Sequence, residues 1–546
     1  MTEKNRNCVT APRVLGQGKF AKVFEALQQC QDETLTHVAI KSLHARADET
    51  AEQLFEREVA LMAELTKDDT DHYVSTLDIL QVGPLFMSAC GKLFQPMCPH
   101  GCGTKLARSN RPSTSNFPRL GCPSPSCGKY EVSAEFIDMA QNELFQHPAN
   151  PHCTPGDTMA TGTIINFVDR RVIVMEKLGS SLDECFDNFR SPASSISTAP
   201  TPTEWKGAPE DYQRLRQKVH LLHKMDLMIQ LAEAVYRLHD KHDLIHRDLA
   251  PDNVMIQMQG HEISDENLFV LGDQDLFDTR CPWRLKLIDF GLSEDGETNE
   301  VMPWYAIGDV NTQGNKWPYM SPEAKTRETD LRNIVARNLT SDGFVLPEEL
   351  SVGDHAPKRG DLIADKSQHD PECEFKIVEI TANESGQPVA VLDRTPSPNI
   401  SGRALQLIRR LGRAHDVYST GAMLYYVLTG AHSKTNVLAS FVVGQQNNPL
   451  DFLASELNRH PDYPGIRDAI PAEEYWSDQL MIVILRAMVR GQKGSFVPSR
   501  TDVSSDGIRQ LRDELTRLYH LIQREVVAIP VDREWQRRYA QERAKL

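Results

Sequence analysis

The segment LIHRDLAPDNVMI, residues 244–256, has apolar runs at both ends and a polar centre. This pattern indicates a loop held between two buried stretches of backbone. Asp248 and Asn253 lie five positions apart in the loop, so both side chains can point into one cleft. The carboxylate of Asp248 can accept the proton of an attacking hydroxyl, and the amide oxygen of Asn253 can bind a hard cation.

A second candidate carboxylate follows in LKLIDFGLSE, residues 285–294. Asp289 stands at the end of an apolar run that predicts a strand, and Phe and Gly come directly after it. A carboxylate in this place can connect Mg²⁺ to phosphate oxygens. We therefore expect Asn253 and Asp289 to bind Mg²⁺.

Residues 13–43 contain two alternating runs that predict strands around a glycine-rich turn. Gly16 and Gly18 lack side chains, so backbone N–H groups in the turn can approach phosphate oxygens. Lys41 lies on the second strand, and Glu58 lies 17 residues further on in a predicted helix. A buried ammonium needs a paired carboxylate, and such a pair can position a cation against phosphates.

The composition disfavours several classes of function. The net charge of -16 repels phosphate backbones and anionic lipid surfaces, so we expect neither a nucleic-acid partner nor a membrane partner. No apolar run approaches the roughly 20 residues that span a bilayer, and the first residues, MTEKNRNCVT, have no apolar stretch like that of a secretory signal. We expect a cytoplasmic protein whose 11 cysteines are mostly reduced thiols.

Seven motifs in order carry a resemblance: GxGxxA-V, VAIK, Glu58, HRDLAPDN, DFG, YMSPE and DVYSTG. This set resembles the eukaryotic-type protein kinase superfamily, and its members that act on serine and threonine in particular. The resemblance implies an α+β fold of two lobes and transfer of the γ-phosphoryl group of ATP, with Mg²⁺, to a hydroxyl of a protein substrate. It covers most of the chain outside two predicted insertions.

The resemblance also implies roles for individual residues. Asp248 would be the catalytic base, and Lys41, held by Glu58, would bind the α- and β-phosphates. Glu176 and Leu178 would form the hinge that binds adenine through backbone atoms, and Met175 would be the gatekeeper. The residues expected around the nucleotide and its metal are Gly16, Gly18, Val23, Ala39, Lys41, Glu58, Glu176, Leu178, Asp183, Asn253 and Asp289. Two structural roles are implied as well, an ion pair of Glu323 with Arg500 and support of the HRD loop by Asp416.

Three positions depart from the pattern of the superfamily. Ala21 replaces the third glycine, a tolerable change. Ala250 stands where serine/threonine kinases usually carry a lysine that neutralises the transferred phosphoryl group. Tyrosine kinases also have alanine there but add an arginine nearby, which Pro251 and Asp252 do not provide. Lys316 occupies a position that is usually threonine, and our hypothesis is that it supplies the missing cation as a catalytic residue; a solvated surface lysine is the alternative.

Arg247 beside Asp248 suggests control by phosphorylation of the following segment, because an arginine there can pair with a phosphate. Thr298, Tyr305 and Thr312 are candidate acceptors, including for autophosphorylation. The segment also carries acidic side chains that offer constitutive pairing instead.

Four cysteines form two similar turns, CPHGCG and CPSPSCG. The pairs Cys98/Cys102 and Cys122/Cys127 have three and four intervening residues, and 19 residues separate the pairs. Each pair can present two thiolates to one tetrahedral Zn²⁺, so the segment resembles a zinc ribbon with a structural metal ion. Four free thiols are the alternative, and His100 is expected to be a bystander.

We expect a kinase N-lobe over residues 1–178 that contains the zinc-ribbon-like insertion, residues 86–165. A C-lobe over residues 179–530 is predicted to be helical from Met225 onward, and it contains a small β insertion, residues 330–405, in which two alternating runs flank the turn NESGQ. A charged tail covers residues 531–546. The insertions are candidate docking surfaces for a partner. Three alternatives stay open: a pseudokinase scaffold, a small-molecule kinase of related fold, and a binding protein in which the insertions carry the main function.

Overall fold

The computed structural model of the 546-residue chain describes residues 14–17, 21–29, 35–43, 49–82, 85–87, 93–94, 107–108, 119–122, 124, 131–133, 163–166, 170–184, 207–258, 283–295, 314–321, 328–330, 343–346, 356–365, 374–395, 405–408, 412–429, 475–488, 495–496 and 505–528. The chain divides into two compact units, residues 1–178 and residues 179–546. None of the described helices is long and apolar enough to cross a lipid bilayer.

The first unit is rich in strands. Its described strands are β1 (Val14–Gln17), β2 (Ala21–Gln29), β3 (Leu35–Leu43), β4 (Thr76–Val82), β5 (Leu85–Met87), β6 (Leu93–Phe94), β7 (Ala107–Arg108), β8 (Arg119–Gly121), β9 (Glu131–Ser133), β10 (Thr163–Asn166) and β11 (Arg170–Glu176). An antiparallel sheet has the order β1-β2-β3-β11-β4, and two smaller sheets have the orders β10-β5-β6 and β7-β8-β9. Val172, Ile173 and Val174 are all buried because β11 is an interior strand of the large sheet.

Helix α1 (Glu49–Asp68) packs against β3 and β4 in the first unit. Phe55, Val59 and Met62 are buried at the spacings of four and three that place side chains on one helix face. Glu58 lies on that face and is buried with them. The apolar pattern of α1 therefore brings a carboxylate against the sheet.

The second unit is mainly helical at its centre. Its described helices are α2 (Pro209–Asp240), α3 (Ala414–Thr429), α4 (Tyr475–Met488) and α5 (Asp506–Ala528). The sequence predicted a helix only from Met225 onward, whereas α2 begins at Pro209. Proline suits the first helical position, and Glu210 and Asp211 lie where the helix dipole favours negative charge.

Helix α2 buries several basic side chains, which interrupts its apolar pattern. The ammonium of Lys218 is 2.7 Å from a carboxylate oxygen of Glu525 on α5. Lys224 lies 3.4 Å from the carbonyl oxygen of Leu428 near the end of α3, and burial lowers the pKa of Lys224 to about 8. These contacts let a polar stretch continue the helix through the core.

Helix α3 is buried on all sides along its described length. Gly421 lies at its contact with α4, where an added Cβ atom would be 2.7 Å from the Cβ atom of Ala487. Real Cβ atoms do not approach so closely, so only glycine fits this close approach of two helices.

Short strands frame the loops that follow α2. They are β12 (Ser180–Ser181), β13 (Leu244–Ile245), β14 (Val254–Met258), β15 (Trp283–Leu287) and β16 (Glu294–Asp295). One sheet has the order β12-β14-β15, and β13 pairs with β16. All of these pairings are antiparallel.

A separate antiparallel sheet in the second unit lies between residues 328 and 408, and we call it the β module. Its described strands are β17 (Glu328–Asp330), β18 (Gly343–Val345), β19 (Leu362–Asp365), β20 (Phe375–Ala382), β21 (Pro388–Leu392) and β22 (Leu405–Ile408), in the order β17-β22-β19-β20-β21-β18. Phe344, Phe375 and Ile377 belong to its own hydrophobic core. The hairpin predicted around NESGQ is present, and Gly386 there has a φ of 78°, which glycine adopts readily.

The contact of α3 with α4 gives a test of packing. We expect Gly421→Val to lower the free energy of unfolding by about 1–3 kcal/mol, because the new side chain overlaps Ala487. Urea unfolding followed by circular dichroism measures the change. The double variant Gly421→Val/Ala487→Gly should regain part of the loss, and a single variant as stable as the wild type would contradict the packing.

Candidate active site

The loop between β13 and β14 carries Asp248 and Asn253 in the second unit. Pro251–Asn253 forms a short 3-10 turn, which brings the Asn253 side chain back towards Asp248. The Asn253 amide nitrogen donates to the Asp248 carbonyl oxygen at 2.7 Å and to Asp248 Oδ2 at 2.9 Å. The two residues that the sequence analysis paired are therefore in direct contact.

Asp289 follows β15, next to the end of β14 that begins after Asn253. Val254 pairs with Leu287, and the N–H of Ile288 donates to the carbonyl oxygen of Asn253 at 3.1 Å. Asn253 and Asp289 consequently lie at the same end of this strand pair. Asp289 has a φ of 63°, a left-handed conformation that is uncommon outside glycine and concentrates at functional sites.

Lys316 reaches the same loop from a second 3-10 turn, Gly314–Tyr319. Its ammonium is 2.5 Å from Asp248 Oδ2 and 3.7 Å from Asp252 Oδ2. Burial by itself lowers the pKa of Lys316, but Asp248, Asp252 and Asp289 raise that pKa overall. The side chain is thus a cation at neutral pH that contacts the carboxylates of Asp248 and Asp252 and is influenced electrostatically by Asp289.

The buried carboxylate of Asp416, on α3, accepts hydrogen bonds from the backbone of the loop. The N–H of His246 donates to its Oδ2 at 2.7 Å, and the N–H of Arg247 donates to its Oδ1 at 2.9 Å. His239 Nε2 lies 2.9 Å from Oδ2. Burial opposes ionisation of Asp416, but the hydrogen bond and charge of His239, with His415 and His246, lower its pKa to about 2.

Three residues of this neighbourhood escaped the sequence analysis: His239, Ser321 and His415. His415 Nδ1 lies 2.9 Å from Ser321 Oγ, and its Nε2 lies 3.1 Å from the carbonyl oxygen of Arg247. His415 directly precedes Asp416 in the sequence, and that proximity to a recognised motif was the available signal.

The predicted ion pair is formed in the first unit. Lys41 Nζ is 2.5 Å from Glu58 Oε1, and their side chains are 11% and 3% exposed. Val23 is the partner of Lys41 on β2, and Ala39 is the partner of Met175 on β11.

The predicted hinge residues end the first unit. Glu176 accepts the N–H of Ser75 at 2.7 Å through Oε1, and its own N–H donates to the Ser75 carbonyl oxygen at 3.0 Å. Leu178 and Met175 are buried. An unpredicted ion pair lies beside them, with Lys177 Nζ 2.5 Å from Glu25 Oε1.

Two further candidates for nucleotide binding have described surroundings. Gly16 pairs with Val23 across a register shift, and an added Cβ atom there would meet no heavy atom within 4 Å. Asp183 belongs to the second unit, where Tyr426 donates its hydroxyl to Asp183 Oδ1 at 3.1 Å. The carboxylate of Asp183 thus has a protein partner in α3.

Several predicted residues lie outside the described residues: Gly18, Cys98, Cys102, Cys127, Thr298, Tyr305, Thr312, Glu323 and Arg500. Cys122 is described, and it lies half-buried directly after β8. In the described ranges, no group of three or more His, Cys, Asp or Glu side chains is arranged to hold a metal ion.

The sequence of the chain matches the profile of a known protein family. The sequence profile of the family "Protein tyrosine and serine/threonine kinase" matches residues 9–118 and 156–331, more than half of the chain. The chain belongs to this protein kinase family. The family consists of phosphotransferases that use ATP and Mg²⁺ and act on proteins. The broad class of this chain is therefore protein phosphotransferase, and the ligands of that class are ATP and Mg²⁺.

The match covers most of the candidate residues of the kinase. Lys41, Glu58, Asp248, Asp289 and Lys316 all lie within the matched residues. The unmatched residues 119–155 overlap the predicted zinc-ribbon-like segment, and α3 with Asp416 lies beyond the second matched stretch.

The low pKa of Asp416 predicts a dependence of stability on pH. Because its pKa in the folded protein lies below the ordinary value of 3.8, the carboxylate stabilises the fold above about pH 4, and this contribution is lost as the pH falls towards 2. We expect Asp416→Asn to lower the free energy of unfolding at pH 7 by about 3 kcal/mol, since the amide keeps one acceptor oxygen and turns an NH₂ group towards the other buried N–H donor. Urea unfolding at several pH values measures it.

The matched control is Asp513→Asn on the exposed face of α5, which should change stability by less than about 0.5 kcal/mol. The difference between wild type and Asp416→Asn should shrink between pH 4 and pH 2. A difference that stays constant over this range would show that the carboxylate charge is not what stabilises the loop.

Proposed function

We propose that this protein is an active serine/threonine protein kinase that transfers the γ-phosphoryl group of ATP to a protein hydroxyl. The observation that carries the proposal is the contact of Asp248 with Asn253 beside the strand end that bears Asp289. Phosphoryl transfer needs mainly a positioned acceptor and neutralised phosphate charge.

Asp248 would accept the proton of the attacking hydroxyl. Asn253 fixes one carboxylate oxygen of Asp248 through its amide N–H, so the proton acceptor has a defined orientation. The hydroxyl oxygen then bonds to the γ-phosphorus, the bond to the β–γ bridging oxygen breaks, and ADP leaves with that electron pair.

The oxygen donors of Asn253 and Asp289 fit a hard divalent cation, and they lie at one end of the β14–β15 pair. Mg²⁺ bound there would neutralise phosphate charge. In the first unit, the buried Lys41–Glu58 pair supports a role of Lys41 in binding the α- and β-phosphates, because Glu58 keeps its ammonium in place.

Specificity for serine and threonine is supported by what the loop lacks. Residues 250–253 are Ala-Pro-Asp-Asn and do not include the arginine that tyrosine kinases carry with alanine at this position. Phosphoamino acid analysis of the product separates the two specificities. Phosphotyrosine alone would refute this part of the proposal.

An assay of phosphate transfer from [γ-³²P]ATP tests the activity. We expect Asp248→Asn to lower kcat by at least about 10³-fold while Mg-ATP binding, measured by calorimetry, is retained, because the substitution removes the proton acceptor and keeps the shape. Asp513→Asn serves as the control for loss of one surface carboxylate.

A wild-type protein that binds Mg-ATP and transfers no phosphate, to itself or to a general substrate such as casein, would favour the pseudokinase alternative. In that case the Lys41–Glu58 pair would serve nucleotide binding alone. Autophosphorylation at Thr298, Tyr305 or Thr312, detected by mass spectrometry, is part of the proposal.

We propose in addition a structural Zn²⁺ held by Cys98, Cys102, Cys122 and Cys127. The support is the repeated Cys-Pro and Cys-Gly pattern of the two pairs, with thiolates as preferred ligands of zinc. Elemental analysis should find about one zinc per chain, and Cys122→Ser should lower that content while Cys8→Ser leaves it unchanged. Equal zinc content in both variants would contradict the site.

Partner docking through the two insertions and a cytoplasmic location stay predictions of the sequence. Deletion of residues 86–165, with catalysis retained and a partner lost, would support the docking role.

A further inference from the structure

We propose that Lys316 contacts the transferred phosphoryl group and replaces, from a different segment of the chain, the lysine that is absent at Ala250. The proposal rests on the proposed kinase activity and names a catalytic residue for it. The juxtaposition that suggests it is the ammonium of Lys316 against the carboxylate of Asp248.

The loop after Asp248 offers no cation of its own. Ala250 has an extended backbone and is only 2% exposed, and the next residues are Pro251, Asp252 and Asn253. Asp248, Asp252 and Asp289 meanwhile concentrate negative charge here, and each acts electrostatically on Lys316. A triphosphate adds further negative charge, so a cation is needed for a close approach of the reactants.

Lys316 has the reach and the access for this role. Its Nζ atom is 2.5 Å from the oxygen of Asp248 that also accepts from Asn253. The side chain is 23% exposed, so it is not sealed inside the protein. A group 2.5 Å from the proton acceptor lies within hydrogen-bond range of a phosphoryl group that reacts beside that acceptor.

The turn that carries Lys316 is anchored independently of the lysine. Tyr319 is buried with its ring edge-on to Tyr426 at 5.8 Å between centroids, and its carbonyl oxygen accepts from Ser419 Oγ at 2.8 Å. Ser321 and the carbonyl oxygen of Arg247 both contact His415. Helix α3 therefore positions the turn with Lys316 and the loop with Asp248 through adjacent residues.

In the transfer step, the substrate oxygen bonds to the γ-phosphorus, its proton passes to the Asp248 carboxylate, and the electron pair of the broken bond leaves on ADP. Protonation of Asp248 weakens its ion pair with Lys316 at the moment when charge on the equatorial phosphoryl oxygens must be stabilised. Lys316 keeps its proton and turns its charge to those oxygens. The interaction is therefore stronger in the transition state than in the ground state, which is the condition for raising kcat.

The first experiment measures kcat and KM for ATP in Lys316→Met. We expect kcat to fall by about 10²–10³-fold while KM changes less than about threefold, since the lysine acts on the transferred group and not on the rest of the nucleotide. Lys67→Met, an exposed lysine in the last turn of α1, is the matched control and should keep the wild-type kcat.

The second experiment moves the charge. In Ala250→Lys/Lys316→Met, the lysine returns to the position that Ala250 occupies, and we expect kcat at least tenfold above that of Lys316→Met. A purely structural ion pair would not be rescued in this way. Because Ala250 is buried, thermal unfolding is measured first; if the double variant is unfolded, Lys316→Arg decides instead and should keep at least tenfold more of kcat than Lys316→Met.

The outcomes separate the two proposals. A wild-type protein without phosphoryl transfer refutes the kinase activity itself. Wild-type activity with an unchanged kcat in Lys316→Met, or with a change in KM alone, refutes the role of Lys316 and leaves the activity standing. A folded double variant no faster than Lys316→Met also refutes it.

Discussion

The carboxylate of Asp416 accepts two successive backbone N–H groups from inside a buried helix, and the geometry of the second-unit site follows from this contact. Arg247 has a φ of 67°, so its N–H and that of His246 point the same way. Without a buried acceptor these donors would be unsatisfied, and the left-handed backbone would lose its compensation. Asp248 is the next residue, so these hydrogen bonds also fix the position of its backbone. Ser419 on the same helix donates to the turn of Lys316, and His415 contacts Ser321 just after that turn, so one helix positions both charges of the site.

Local patterns predicted much of the framework correctly. The apolar spacing of Phe55, Val59 and Met62 predicted the helix α1. The contact of Glu58 with Lys41, 17 residues away, was predictable because a buried ammonium needs a paired carboxylate. The hairpin of β20 and β21 was predictable because two alternating runs flank a turn of polar residues. The start of α2 was missed because buried basic residues, paired with Glu525 or the end of α3, interrupt the apolar periodicity on which the prediction relied.

Contacts over long sequence separations were beyond such patterns unless a family motif indicated them. The pairing of His415 with Ser321 spans 94 positions, and that of His239 with Asp416 spans 177. A histidine in a helical segment shows no sign in the sequence of which carbonyl or hydroxyl the fold will bring to its ring. Asp183 illustrates the same limit, because its hydrogen bond from Tyr426 depends on α3, 243 positions away. Lys316 was identified only because Ala250 left a charge unaccounted for.

The β module begins at β17 and ends at β22, and these two strands are antiparallel neighbours. Glu328 faces Ile408 in that register, so some eighty residues leave and rejoin the rest of the chain at almost one place. A module joined in this manner interrupts its host at a single point, since the flanking segments do not have to move apart to accommodate it. Because the β module has its own hydrophobic core, a mutation in that core lowers the stability of the module first. The sequence of this region is thereby able to diverge, or to be exchanged for another self-contained sheet, under constraints largely separate from those on the residues around Asp248.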